Sequence, residues 1–541
     1  MIVLGIHGGV TLGQHEPAAA LIIDGRCVAL CEEERYLRIK SCYGMLPDHA
    51  IKACLDIAGI SFADIDLVVT PGITYPGHAE RISAYLRHNF GSCPKVGLVH
   101  HQTAHVNAAF YGSGKDKAIC LSLDASGDGT SGMLARASRT SGIKVLEEIP
   151  IQNSLGFFYT MMTYFLGFSD GDEYKVMGLA PYGEPSIDLT RIIRPTSGGW
   201  QFDWSFIRQD PPIRSPFEPL YDNRLADALG RPNRVPGSEV TPYHRDLARS
   251  VQAAMEECLL SLLRAARSQA PDLDDLCYAG GVALNCSANK RIVDEAGFNS
   301  FYVSPVSSDR GLALGCAYHG AVLSGDTPEK IDDPYLGSSY SADAIRGELE
   351  SNGCTYQELE DPAETAAELL ADGKVLGWFQ GRSEAGARAL GNRSIISAAS
   401  TEEMRDLVNA RIKYREEFRP FAPAALVEQA DDYFDTKDLE YPTMSITVDA
   451  RPATADRIRA VVHTDGTARL QTVDSRTNAR FHELIQHYDR KTGVPVILNT
   501  SFNLKGQPIV ESPRDAIMTF FACGLDALIL DRFLVKKIAT Q

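Results

Sequence analysis

Three features predict an α/β protein of at least two domains. The chain has 541 residues, which is long for one ordinary domain, so two to four are expected. Its N-terminal part carries a strand–turn–strand pattern twice. Further on, apolar strands run into small-residue helices through glycine or serine turns, the rhythm of an α/β fold.

The first copy of the repeat is IVLGIHGG followed by AAALIIDGRCVALCEEE, where Asp24-Gly25 is a hairpin signal. The second is AICLSLDASGDGTSGMLARAS, residues 118–138. Each copy places a polar loop after a buried-looking strand: His15 and its neighbours in one, Asp124 to Thr130 in the other. Such a duplication suits the actin-like nucleotidase architecture, in which two related α/β halves grip phosphates with their hairpin turns. Gly127 and Gly129 would let backbone N–H groups approach an anion closely. Residues 245–269 then show helical periodicity. GGVALNCSANKRI and SSDRGLALGCAYHGAVL are strand–turn–helix units, whose helix N-termini suit anions. The stretch 323–345 is rich in Asp, Ser, Gly and Pro and reads as a linker. It divides an N-terminal domain, 1–345, from a C-terminal one, 346–541.

Composition narrows the function. The chain is 44% hydrophobic and 23% charged, with a formal net charge of −17. An acidic surface repels phosphate backbones and anionic membranes, so neither nucleic acid nor a membrane is expected as a partner. A local Arg/Lys cluster can still bind a small anion. The start, MIVLGIHGG, lacks the basic region of a signal peptide, and no apolar run reaches 18 residues. The 12 cysteines include no C-x-x-C pair. A reducing cytoplasm is the expected location. The sequence contains no G-x-x-x-x-G-K-[ST] loop.

Three constellations bear on chemistry. In VHHQTAHVNAAF, His101 and His105 stand four apart, so on a helix both imidazoles face one way. An isolated H-x-x-x-H is more often an ordinary packed or surface pair. Here Asp124 ends a strand at a glycine-rich turn, and Asp309 sits at another strand-to-helix turn. Two imidazoles and two carboxylates suit divalent iron, manganese or zinc. His100, one residue off, is expected to point about 100° away.

The second constellation is basic. It comprises Arg382, Arg388 and Arg393; Arg411, Lys413, Arg415 and Arg419; and Arg469, with Ser501 and Asn503 at a polar strand end. Glu416 and Glu417 are obvious local partners. Yet these cations are mixed with Gly, Ala, Phe and Pro, and Arg suits bidentate phosphate or carboxylate binding. Third, Lys175 stands in the apolar segment EYKVMGLAPYG. It is either an exposed helix residue or a group that positions a phosphate.

Taken in order, HHQTAH, DASGDGT, EYKVMGLAPYGEP, GGVALNCSANKRI, SSDRGLALG, GRSEAGARALGNRSI, IKYREEFRPFAPA, ARLQTV and VPVILNTSFNLKGQPIV closely resemble the NodU/CmcH family of O-carbamoyltransferases. The resemblance spans nearly the whole chain. It implies an actin-like N-terminal domain and a YrdC-like C-terminal one. The C-terminal domain would turn carbamoyl phosphate and Mg(II)-ATP into carbamoyl-adenylate and pyrophosphate. The N-terminal domain would pass the carbamoyl group to a hydroxyl of a small acceptor, an antibiotic or other secondary metabolite, releasing AMP.

Carried over, the resemblance makes His101, His105, Asp124 and Asp309 ligands of a catalytic Fe(II). His15 would be the base that takes the acceptor's proton. Gly280, Gly281 and Asn285 would contact nucleotide. From the residues themselves, Gly127 and Asp128 in the Gly-rich turn are expected to join those nucleotide contacts, and Lys175 is expected at the catalytic site. Arg388, Lys413, Arg415, Arg469, Ser501 and Asn503 would form the carbamoyl-phosphate and adenylation pocket. A homodimer is expected. The chain departs from the family pattern with HEPAAA for HDASA, GARALGN for GPRALGN, REEFRPFAP for REPFRPFAP, and an N-terminal loop lengthened by GGVTLGQ. The competing readings are an actin-like kinase or ATPase, which leaves the C-terminal arginines unexplained, and a nucleotide-switched binding protein without carbamoyl chemistry.

Overall fold

The computed structural model describes residues 1–9, 14–208, 220–416 and 418–537. Residues 10–13 of the lengthened N-terminal loop and Glu417 lie outside the described residues.

Two five-stranded sheets carry the duplicated pattern. The first contains β1 (Ile2–His7), β2 (Ala18–Ile23), β3 (Arg26–Glu32), β4 (Leu67–Pro71) and β5 (Lys95–Val99), in the order β3-β2-β1-β4-β5. Next come β6 (Lys117–Gly127), β7 (Thr130–Ser138) and β8 (Gly142–Pro150), then a separate hairpin of β9 (Ile193–Thr196) and β10 (Gly199–Phe202). Finally β11 (Asp275–Ala279) and β12 (Ser300–Val303) complete a second sheet, ordered β12-β11-β6-β7-β8. Counted from its own first strand, each sheet has the order 3-2-1-4-5. In each, the first strand pairs in parallel with the fourth and the fourth with the fifth. This repeated topology is the actin-like fold that the duplicated sequence pattern predicts. The Asp24-Gly25 turn takes φ of 49° and 88°, the left-handed pair that a two-residue hairpin needs.

Two helices bring the site residues together. Helix His101–Ser113 is buried on almost every side, and helix Leu312–Leu323 lies against it. Gly315 makes that approach possible, because a Cβ there would lie 1.8 Å from the Ala104 carbonyl oxygen. Gly5 does the same for β1, where a Cβ would lie 1.9 Å from Ala313 O. The backbones touch at positions that no larger residue can occupy.

The C-terminal part builds a mixed sheet from β13 (Tyr356–Glu358), β14 (Leu376–Phe379), β15 (Arg393–Ala398), β16 (Ala422–Leu426), β19 (Gln471–Val473), β20 (Val496–Ser501), β21 (Ala527–Leu530) and β22 (Phe533–Lys536). Its order is β13-β22-β21-β14-β15-β20-β16-β19. A small ribbon of β17 (Val448–Asp449) and β18 (Thr467–Ala468) stands apart. Alternate residues serve opposite faces. Trp378 and Ile396 join a core with Leu370, Phe481 and Ile485 from helices Pro362–Ala371 and Ser475–Thr492. Phe379 and Ile395 join another with Phe421, Phe502 and Phe520. Burial on both faces explains why strands such as ALIL and LGWF are apolar throughout.

The described chain forms two compact units. One is Met1–His15, Ala20–Cys27 and Ile60–Ile331; the other is Glu16–Ala19, Val28–Gly59 and Asp332–Gln541. These differ from the 1–345 and 346–541 division expected from composition. The segment Val28–Gly59 is held in the second unit by buried polar contacts. Glu32 accepts from Gly386 N at 2.5 Å, Arg35 donates to Gly386 O at 2.7 Å, and Arg38 donates to Ile509 O at 2.5 Å and Pro508 O at 2.9 Å. No helix among the described residues is long and apolar enough to cross a membrane.

Candidate metal centre and anion pocket

Four side chains converge in the first unit. β5 ends at Val99, and His100 caps the following helix, its Nδ1 accepting from Gln102 N at 3.2 Å. His100 thus precedes the helix, rather than lying about 100° around it as its spacing suggests. His101 and His105 follow one turn apart, their rings edge to face with centroids 4.9 Å apart. Asp124 stands where the pairing of β6 with β7 becomes irregular between Leu123 and Gly127. Asp309 opens the 3-10 turn Asp309–Gly311 ahead of helix Leu312–Leu323.

The Nε2 atoms of His101 and His105 lie 3.4 and 3.1 Å from Asp124 Oδ2, and each lies 3.6 Å from Asp309 Oδ1. One donor atom from each of the four residues falls within 4.8 Å of the others. Two imidazoles and two carboxylates around one point fit a divalent cation. Burial pushes the His105 imidazole down, but hydrogen bonds to Asp124 and Asp309 outweigh it and raise its pKa to about 9. Burial likewise pushes Asp309 up, and the facing histidines more than reverse this, holding its carboxyl well below the usual range.

Neighbouring backbone shapes the cluster. A Cβ at Gly127 would lie 2.1 Å from the His101 ring, and one at Gly281 would lie 2.9 Å from Asp124 Oδ1. Gly127→Ala is therefore expected to push His101 off the cluster. It should cost about 1–3 kcal/mol of stability from overpacking and weaken divalent-ion binding, measured by thermal melts with and without Co(II). Gly280 takes φ of 92° and leaves no room for a side chain, because its Cβ would meet Leu123 O at 2.1 Å.

Several expected nucleotide contacts have other uses in the structure. The Asp128 carboxylate accepts from Gly72 N (3.2 Å), Thr74 N (3.1 Å), Thr74 Oγ1 (2.6 Å) and His101 N (2.8 Å). Those four bonds engage both oxygens, and through His101 N Asp128 fixes the start of the histidine helix. Burial raises its pKa, but the bonds from Thr74 and His101 lower it further, giving a net downward shift. The Asn285 side chain exchanges two hydrogen bonds with Gln252, both 2.9 Å, and caps helix Cys286–Glu295 through Ala288 N at 3.0 Å. Lys175 pairs with Asp172 at 2.9 Å and lies 5.5 Å from the Phe168 ring centroid.

The His15 imidazole is near enough to Asp309 to help hold that carboxyl low, which places the expected base beside the cluster. Sequence reasoning missed His7. This buried residue ends β1, with Nε2 3.0 Å from His15 O and 3.6 Å from Asp309 Oδ2.

In the second unit, Lys413, Ser501 and Asn503 meet. Lys413 closes a π-helical turn, Asn409–Lys413, and Tyr414 follows at φ 45°. Its buried Nζ donates to Ser501 O (2.5 Å) and Oγ (3.3 Å) and to Asn503 Oδ1 (2.8 Å) and O (3.1 Å). Burial, then the cations Arg415 and Arg419, push the Lys413 pKa well down. Arg415 donates to Asn409 Oδ1 at 2.9 Å and stacks 4.1 Å over Phe421. Arg469 lies near His463, whose pKa falls to about 4, chiefly through burial and then through that cation. Arg388 is half-buried in the loop between β14 and β15.

Two other arginines of the basic set are structural. Arg393 is fully buried and donates to the carbonyls of Gln380 (2.7 Å), Asn392 (3.1 Å) and Ser338 (3.1 Å). Arg382 donates to Leu336 O at 2.6 Å, Val28 O at 2.8 Å and Gly337 O at 3.0 Å.

Comparison with known proteins gives matches along most of the chain. Residues 75–318 match the family described as carbamoyltransferase N-terminus, and residues 367–537 match carbamoyltransferase C-terminus. The nodulation protein NolNO of Sinorhizobium fredii is 36% identical over 99% of this chain and 83% of its own length. The nodulation protein NolO of Bradyrhizobium diazoefficiens is 38% identical over 81% of this chain and 79% of its own length. Among solved structures, HypF of T. kodakarensis is 13% identical with a TM-score of 0.35, covering 61% of this chain and 48% of that one. The fold assignment rests on strand order instead.

Proposed function

This chain belongs to the carbamoyltransferase family, and from that premise we propose that it moves a carbamoyl group from carbamoyl phosphate to a hydroxyl of a small molecule through carbamoyl-adenylate made with Mg(II)-ATP. The observation that carries this reading is Lys413. It is a buried amine that, among the described residues, pairs with neutral oxygens and with no carboxylate, while Arg415 and Arg419 depress its pKa. A buried ammonium is costly unless an anion joins it, and a phosphate supplies that charge.

In this reading Arg388, Lys413, Arg415 and Arg469 hold the phosphates, and Ser501 and Asn503 keep the Lys413 amine in place. Water releases phosphate from carbamoyl phosphate. A carbamate oxygen then attacks the α-phosphorus of ATP, and pyrophosphate leaves. At the first-unit site His101, His105, Asp124 and Asp309 would hold a divalent ion, Fe(II) by resemblance. That ion supplies positive charge to the adenylate phosphate when bound. His15 takes the proton of the acceptor hydroxyl, whose oxygen attacks the carbamoyl carbon as AMP departs. Backbone at Gly127, Gly280 and Gly281 approaches the nucleotide, Lys175 assists, and the acceptor is a hydroxylated secondary metabolite. The two activities divide between the two units, and the active form is a homodimer.

The test is pyrophosphate release from ATP without any acceptor. It should require carbamoyl phosphate, and Lys413→Ala should lower it by about a hundredfold or more, the loss typical of removing one preorganised charge-stabilising group. Release of phosphate alone, or pyrophosphate formed without carbamoyl phosphate, would put the kinase-like reading ahead.

A further inference from the structure

We infer that His7 is a positioning residue that sets both the metal-binding carboxylate of Asp309 and the loop bearing His15. The inference rests on the metal reading of the four-residue cluster.

Asp309 divides its two oxygens. Oδ1 faces His101 and His105, at 3.6 Å from each Nε2. Oδ2 turns the other way, toward His7 Nε2 at 3.6 Å. The same nitrogen lies 3.0 Å from the His15 carbonyl oxygen. A carbonyl only accepts, so His7 Nε2 carries a proton and donates it. That N–H therefore bonds the His15 backbone and, at 3.6 Å from Asp309 Oδ2, also faces the outer oxygen of a ligand carboxylate as its polar neighbour.

The surroundings of His7 make this link rigid. The side chain is 1% exposed, at the end of a strand whose Val3, Leu4 and Ile6 are fully buried. His7 Nδ1 has no hydrogen-bond partner among the described residues. A buried imidazole with an unpartnered nitrogen is a costly way to fill space. Leucine would fill the same volume at lower cost, so the value of histidine here lies in its Nε2–H. A polar N–H facing a ligand carboxylate's outer oxygen biases its orientation, and losing such an outer partner typically weakens metal binding about 10–100-fold.

The measurement is Co(II) binding to the full chain, followed by the visible absorption of the bound ion and by competition titration. Wild type should bind one Co(II) per chain. His7→Leu should bind it about 10–100-fold more weakly with a shifted spectrum, because the freed Asp309 carboxylate can rotate. His7→Gln, whose amide N–H reaches to about the same distance, should recover most of the affinity and the wild-type band positions. Equal melting temperatures for the two variants separate this effect from a folding defect. If wild type binds Co(II) and His7→Leu matches it in affinity and spectrum, His7 has no such role. If His7→Gln stays as weak as His7→Leu while both fold, the N–H argument fails. If wild type binds no divalent ion, the metal reading falls and this inference falls with it.

Discussion

Replacing His105 with alanine is expected to abolish carbamoyl transfer to the acceptor, by about a thousandfold or more, while pyrophosphate release from ATP and carbamoyl phosphate continues. The size of the effect follows from charge. A bound divalent ion stabilises a departing phosphate by several kcal/mol, and about 4 kcal/mol is a thousandfold in rate. Its loss also leaves Asp124 and Asp309 with one imidazole fewer to neutralise them. The metal-free protein gives a second readout. The folded pKa of His105, about 9, lies above its ordinary value of 6.5. The stabilisation from its proton is therefore fully present below 6.5 and disappears as pH rises through 9. Thermal melts of metal-free wild type should fall across that window, and those of His105→Ala should lack this component. An acceptor-transfer rate within tenfold of wild type would remove the cluster from the mechanism.

The segment 346–541, expressed alone, is expected not to fold cooperatively. In the full chain Arg35 lies buried among Glu32, Glu34, Glu384 and Glu511, and Ser383 donates to both oxygens of the buried Glu511. Cutting away residues 28–59 leaves Glu384 and Glu511 without that cation. Breaking a buried charge pair in this way costs about 3–5 kcal/mol, a large share of the roughly 5–15 kcal/mol that holds a domain together. Arg382 and Arg393 lose further partners at Val28, Leu336, Gly337 and Ser338. Circular dichroism should show a broad, non-cooperative melt for the fragment. A sharp transition near that of the full chain would show that the network is dispensable.

The sequence was most informative where chemistry and local spacing coincide. His101 and His105 are read from one helical turn, and the duplicated hairpins are read from Asp-Gly and Gly-rich turns. The same local reading was silent on His7, because its partners Asp309 and His15 are reached through tertiary packing and a strand end carries no signal of what it faces. It also treated all cations in the glycine-rich 381–394 stretch alike. Arg393 and Arg382 prove to be staples for backbone carbonyls, a role decided by burial alone. The four protein donors on Asp128 are invisible to local reading for a related reason, because Gly72, Thr74 and His101 reach it from other elements. Residues 28–59 fall within 1–345 when the chain is divided by composition, since no local pattern reports that Glu32, Arg35 and Arg38 pair with residues far along the chain.

The π-helical turn before Tyr414 adds one residue to a helix, and each added residue rotates the downstream side chains by about 100°. The direction of the Lys413 amine is thus encoded by a count rather than by a residue type. A chain one residue shorter between Glu402 and Lys413 could keep every charged group of the pocket and still aim its central cation away from Ser501. Gaps in an alignment at this turn therefore carry as much information about activity as substitutions in it.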